Sequence, residues 1–335
     1  MVKISKGKFD FLEKLSNDKG IIAALAIDQR GSLKRMIGTA QGKDATDEEL
    51  SEFKTLVSAE LTKYTSAILL DPEYGIPAGK KRDTSCGLLS SYEKTGYDAT
   101  EPGRIPDLLP NWSAKRLKEL GSDAVKLLVY YDPDEPDAIN DVKKAFVERV
   151  GSECKAEDIP LFFEIVTYDE KVTDKADYAK IKPHKVLESI KTFTQPRYGI
   201  DVLKLEVPVD MSRVEGVGDN EPVYSAEEAK KYYRQVDELT TIPYIWLSAG
   251  VSTELFQKTL VFAHDAGSKY NGVLCGRATW REGVAAYGKG GPEAANKWLA
   301  TQGKKNVDEL NAILAENATS WYEKYGGKDK IEVIG

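Results

Sequence analysis

Eight short apolar runs recur along this chain, and stretches with helical periodicity separate most of them. The runs are "IIAALAID" (21–28), "AILLD" (67–71), "CGLLSSY" (86–92), "AVKLLVYY" (124–131), "LFFEIVTY" (161–168), "VLKLEV" (202–207), "YIWLS" (244–248) and "GVLCG" (272–276). Near-continuous apolar runs of this length suit strands buried on both faces, and alternation with helices makes such strands parallel. Helix starts are marked by the capping-box spacings Thr46-x-x-Glu49 and Ser225-x-x-Glu228. An eightfold strand–helix alternation predicts an α/β fold, a closed (β/α)8 TIM barrel. After the second run, "PEYGIPAGKKRDTS" leaves room for only a short helix. The segment before residue 20 predicts an extra helix under the barrel, and "EAANKWLATQ" to "DELNAILAENATSWYEKY" predicts further helix at the C-terminal end. No linker or low-complexity tract divides the chain, so a single domain over 1–335 is expected. A doubly wound Rossmann-like sheet is the alternative, but the first run leads into "DQRGSLKR" without the GxGxxG fingerprint.

Charge narrows the function. Lys and Arg total 47 against 54 Asp and Glu, a formal net charge of -7. That balance disfavours nucleic-acid or membrane-surface binding, so an anionic ligand needs a local positive pocket. Cys86, Cys154 and Cys275 lack metal-ligand or CxxC spacing, and no apolar run is of signal-peptide or bilayer length, which together predict a cytoplasmic protein. With only His184 and His264 a His-rich metal site cannot be built. His184 in "KIKPHK" reads as surface, His264 as structural, and neither a metal nor a cofactor is expected.

In a barrel of this kind the chemistry gathers at the C-terminal ends of the strands. Asp28 ends the first run and Asp71 the second. Lys126, Glu164 and Lys204 lie within the fourth, fifth and sixth, each among apolar neighbours. Neighbouring strands are about 4.8 Å apart, so Glu164 can stand between the two lysines. Singly, each residue reads as part of a structural ion-pair cluster. Jointly, a buried Lys–Glu–Lys group is a poor source of stability and a good way to tune an amine. Attack on a carbonyl needs the neutral amine, which desolvation and a nearby ammonium favour, and Lys126 is placed to be that neighbour. At the last two strands, Ser248, Ala249 and Gly250 precede one helix, while Gly276 and Arg277 open another. Backbone N–H groups at a helix start with an arginine beside them suit a phosphate, and the alternative is ordinary tight turns.

"ALAIDQRGSLKRM", "ILLDPEYG", "YEKTGYD", "VLKLEVPV", "LSAGVS" and "GVLCGRATW" resemble the class I tagatose-1,6-bisphosphate aldolases of the bacterial lactose and galactose pathway, along essentially the whole chain. The resemblance implies a barrel that cleaves a ketose bisphosphate to dihydroxyacetone phosphate and glyceraldehyde 3-phosphate without a metal. It makes Lys204 the Schiff-base lysine, Glu164 the acid/base carboxylate and Lys126 the auxiliary lysine. Asp28 and Gln29 become sugar contacts, with Asp28 counted among the catalytic residues as the group that orients the hydroxyls or assists proton transfer, and the segments holding Ser248, Ala249, Gly250, Gly276 and Arg277 become the phosphate loops. The expected partner is a small ketose bisphosphate, with no nucleic acid and no membrane, and self-association into a homo-oligomer stays open. Two rivals remain: a phosphosugar-sensing regulator on the same scaffold, and a Schiff-base aldolase for another phosphosugar. For a second phosphate the candidates are Arg30, Lys34 and the "KKR" run at 80–82, the last reading more simply as surface.

Overall fold

In the computed structural model, which covers residues 1–335, all eight apolar runs pair side by side as parallel strands and close into a barrel. The strands are β1 Ile22–Ala26, β2 Ala67–Leu70, β3 Gly87–Ser91, β4 Ala124–Tyr131, β5 Leu161–Thr167, β6 Val202–Leu205, β7 Tyr244–Leu247 and β8 Gly272–Cys275. They follow one another in chain order around the barrel, and β1 pairs with β8 as well as β2, so no edge is left unpaired.

Strand side chains alternate between the two faces with a period of two. One face carries Ala24, Ala26, Ala67, Leu69, Leu89, Ala124, Phe162, Val202, Ile245 and Leu274, which pack together inside the barrel. The other face, with Leu25, Ile68, Leu127 and Phe163, packs on the surrounding helices. Advancing two residues along the inward columns leads from an apolar floor to polar side chains above it. Ala26 is followed by Asp28, Ala124 by Lys126, Phe162 by Glu164 and Val202 by Lys204. Leu89 leads through Ser91 to Glu93.

The expected helix under the barrel is Lys6–Lys14. Phe9 and Leu12 bury into the same cluster as the barrel floor. Lys8 reaches Asp201 at 2.8 Å and Lys14 reaches Asp123 at 2.7 Å, both acids standing just before a strand. The helix after β2, Ile76–Lys81, is short as expected. At the C-terminal end the chain is helical over Arg277–Trp298, with a kink at Gly290 and Gly291, and again over Lys304–Asn317.

Two features depart from the sequence pattern. The helix between β5 and β6 spans Lys175–Phe193 and runs through Pro183. Proline leaves the carbonyl four residues back without its helical donor. Here the Tyr224 hydroxyl sits between that carbonyl, on Ala179, at 3.2 Å and the Lys180 carbonyl at 2.7 Å, and the Asp174 side chain caps the helix start. Second, Val2–Ser5 pairs in parallel with Ile331–Ile334, joining the two ends of the chain. No helix is long and apolar enough to cross a membrane.

Candidate active site

Where the inward columns turn polar, the C-terminal mouth of the barrel holds a cavity of about 350 Å³. Asp28, Gln29, Lys126, Glu164, Lys204, Ala249 and Arg277 all line it, as do Arg30, Glu93, Lys94, Arg104 and Glu206.

The pairing register explains how the charged groups meet. Glu164 on β5 stands directly opposite Lys204 on β6, while Lys126 on β4 pairs with Phe162, one inward step lower. Glu164 therefore bridges the lysines: its Oε2 lies 2.9 Å from Lys204 Nζ and 2.8 Å from Lys126 Nζ. Lys126 also contacts Asp28 Oδ2 at 2.9 Å and Glu93 Oε1 at 2.6 Å. Three carboxylates thus converge on one buried ammonium, and Lys204 has a single carboxylate partner.

The electrostatics follow from that division. Burial disfavours the Lys126 charge, but Asp28, Glu164 and Glu93 outweigh it and hold the amine well above the ordinary lysine range. Burial likewise resists ionisation of Asp28 and Glu164. Lys126 and Lys204 overcome it and keep both carboxyls below their usual values. Glu93 is pushed up, first by burial and then by its neighbour Asp28. Lys126 is therefore no bare ammonium repelling Lys204. Its charge is matched by three anions, and its geometric effect is to fix Glu164 and Asp28.

Glu93 is one cavity residue that the sequence pattern did not single out. Its Oε2 accepts the Leu128 backbone N–H at 3.1 Å, and its own carbonyl accepts from Arg30 at 2.8 Å. In "LLSSYEK" it sits among polar residues, although the alternation Leu89, Ser91, Glu93 points it inward. Asp71, by contrast, lies outside the cavity lining. It is fully buried against Lys54 and accepts the Tyr74 N–H, a structural pair behind the site.

At the other side of the mouth, Ala249 and Gly250 both have positive φ, 47° and 75°. A Cβ on Gly250 would lie 2.8 Å from the Arg277 guanidinium carbon, so glycine is what lets the loop close onto that arginine. Arg277 begins its helix, faces the cavity and takes no part in a salt bridge. Burial and the adjacent Arg281 lower its pKa, an arrangement that an incoming dianion relieves. Ser248 is buried beside Cys275, and Gly276 packs over the Ala26 carbonyl and the Gln29 amide. These two shape the loops, while Ala249 and Arg277 meet the cavity. Gln29 also lines the cavity, and its buried Oε1 has no partner in the protein.

The three candidates for a second phosphate fare differently. Arg30 lines the cavity, but its Nη groups are engaged by Glu73, Ser91 and the Glu93 carbonyl. Lys34 is paired with Asp47 away from the cavity. Within "KKR", Arg82 donates to the Gly79 and Cys86 carbonyls, a local structural role. The histidines are peripheral: His184 bonds Asp134, and His264 meets the Asn317 carbonyl.

A family described as DeoC/LacD family aldolase matches residues 22–282. The chain is 57% identical over 336 residues to the tagatose 1,6-diphosphate aldolase of Listeria innocua, covering 100% of this chain and 99% of that protein. It is 56% identical over 322 residues to the enzyme of the same name from Staphylococcus epidermidis, covering 96% and 99%. Among solved structures, a fructose-bisphosphate aldolase from Plasmodium falciparum superposes with a TM-score of 0.69 at 15% identity, over 92% of this chain and 94% of that one. An archaeal fructose 1,6-bisphosphate aldolase gives 0.55 at 16% identity, over 88% and 99%. At such identities the structures speak for the fold alone.

Proposed function

The chain belongs to the DeoC/LacD family of aldolases, and from that premise we propose that it cleaves D-tagatose 1,6-bisphosphate, and related ketose 1,6-bisphosphates, to dihydroxyacetone phosphate and D-glyceraldehyde 3-phosphate through a Schiff base on Lys204. The observation that carries this reading is the single carboxylate oxygen of Glu164 within 2.9 Å of Lys204 and 2.8 Å of Lys126, at the floor of a cavity with an unpaired arginine on its wall.

The chemistry divides among these groups. Lys204 passes a proton to Glu164, the one carboxylate in contact with it, and its neutral Nζ attacks the C2 ketone. Glu164 returns that proton to the carbinolamine hydroxyl, which leaves as water and gives the iminium. As base, Glu164 then takes the C4 hydroxyl proton. The C3–C4 electron pair moves into the iminium, and glyceraldehyde 3-phosphate departs. Glu164 gives that proton to the enamine at C3, and hydrolysis of the iminium by water releases dihydroxyacetone phosphate and restores the Lys204 ammonium. Lys126 stays charged throughout, held by Asp28 and Glu93, and keeps Glu164 in reach of the reacting atoms. Asp28 orients the sugar hydroxyls, with Gln29 beside it. The loop Ser248–Gly250, together with Gly276 and Arg277, holds the C1 phosphate, anchoring the part of the substrate that remains on the enzyme.

The test is turnover of tagatose 1,6-bisphosphate coupled to triose-phosphate detection, with the expected result of stoichiometric release of both trioses. Binding of the sugar without turnover would favour a phosphosugar sensor instead.

A further inference from the structure

One guanidinium at the cavity remains unassigned. Arg104 lies in the long connection between β3 and β4, and its Nε donates to Glu170 at 3.0 Å, while its two Nη groups have no protein acceptor. The side chain is caged by aromatics: its guanidinium lies 4.1 Å from the Tyr168 ring centroid, 5.0 Å from that of Tyr97 and 5.6 Å from that of Tyr130. Tyr168 is itself fixed, accepting from the buried Lys143 at 2.8 Å and donating to Glu135 at 3.3 Å. The backbone is committed too. Arg104 has φ 47° and Gly103 φ 89°, and a Cβ on Gly103 would lie 2.5 Å from Ile139. A non-glycine residue held in the left-handed region, stacked on three rings and open at its bidentate end, is a pre-organised anion receptor.

Its position gives the receptor a ligand. Arg277 follows β8, whereas Arg104 stacks over Tyr130 on β4 and Tyr168 just after β5. In an eight-stranded ring β4 and β8 are diametrically opposed. The two arginines thus face the cavity from opposite walls, with Lys204 and Glu164 on the floor between them. The other cations on the lining are spoken for: Arg30 and Lys126 by their carboxylates and carbonyl, Lys204 by the chemistry. Lys94 is exposed and sits 3.6 Å from Asp107.

We propose that Arg104 is the anchor for the second phosphate, at C6 of the substrate, and so the residue that makes this site select bisphosphates over monophosphates. The assignment rests on the aldolase reading above. It is tested by steady-state kinetics of the whole chain and its Arg104→Ala and Arg104→Lys variants, on a ketohexose 1,6-bisphosphate and on the corresponding ketohexose 1-phosphate. For Arg104→Ala, KM for the bisphosphate should rise about 10- to 100-fold, the size of one lost charge-assisted contact, with KM and kcat for the 1-phosphate unchanged. Arg104→Lys, which keeps the charge but loses the planar fork, should fall between. Equal losses on both substrates would show that Arg104 only supports the loop, and no loss on the bisphosphate would place the second phosphate elsewhere. Either result overturns the assignment while leaving the aldolase intact. Wild-type protein that cleaves neither sugar would instead remove the aldolase reading, and this anchor with it.

Discussion

The two ends of the barrel both bury charge, and they do so under opposite rules. At the base, each ion pair is closed. Asp201 accepts Lys8 and the Leu161 backbone N–H, and Asp123 accepts Lys14 and the Leu88 N–H, so both acids have one ammonium and one amide. These pairs clamp the helix Lys6–Lys14 to the starts of the strands. Around the reacting groups at the mouth, the pairing is not one to one. Lys126 takes three carboxylates, Glu164 is shared by two lysines, and Arg277 has no anion. Buried pairs give modest net stability but are costly to break, so the base is a place where charge fixes geometry. The mouth holds shared protons and unmet charge, which is what a proton relay and a phosphate site require.

That contrast is exposed to substitution, beginning with the largest effect. Glu164→Gln keeps the shape of the side chain and removes the relay, so kcat should drop by about 10² to 10⁴ while the fold persists. A near-normal kcat would move the base role to Asp28. Lys8→Met, at the base, should do the reverse. Leaving Asp201 buried without its ammonium should cost about 3 kcal/mol in denaturant unfolding, with kcat per folded molecule unchanged. A large fall in kcat would mean that the two ends are coupled. Arg277→Ala should raise KM about 10- to 100-fold through loss of one charge-assisted contact. An unchanged KM would put the C1 phosphate off this loop.

The smallest effect is in pH dependence. Glu164 is held below the ordinary glutamate value of 4.5 in the folded chain. Its stabilising contribution is therefore complete above that value and is lost as pH falls through the lower folded one. Asp201 is shifted the other way, raised by burial, so its charged form costs stability at neutral pH and acid relieves that cost. The unfolding free energies of wild type and Glu164→Gln should run parallel from pH 7 to about 5 and converge only below 4.5. Convergence already near pH 6 would mean that the two lysines do not hold Glu164 as the geometry implies.

The barrel was legible in the sequence because eight apolar runs can be buried on both faces in few other ways, and every barrel strand falls inside one of those runs. Lys126, Glu164 and Lys204 were legible for a related reason: a charged residue inside an apolar strand has few places to go. Glu93 was not, because "SSYEK" carries no apolar contrast and only the register of β3 turns it inward. Arg104 was hidden more deeply. Its role depends on a left-handed backbone and on tyrosines from three separate stretches of the chain, which no local pattern brings together. The terminal strands, Val2–Ser5 and Ile331–Ile334, are too short and too far apart in the chain to announce their pairing. The sharing of Lys126 among three carboxylates needed distances, since spacing alone suggested a simple Lys–Glu–Lys row.

We assign the nucleophile to the amine with one carboxylate partner, Lys204, and not to the amine with three, Lys126. Reduction with borohydride in the presence of dihydroxyacetone phosphate, followed by peptide mapping, reads this directly. The label is expected on Lys204 and on no other lysine, because only Lys204 can give up its proton to Glu164 while Lys126 remains pinned by Asp28, Glu93 and Glu164. A label on the Lys126 peptide would contradict that division of roles, and active enzyme that takes up no label would contradict the Schiff base itself.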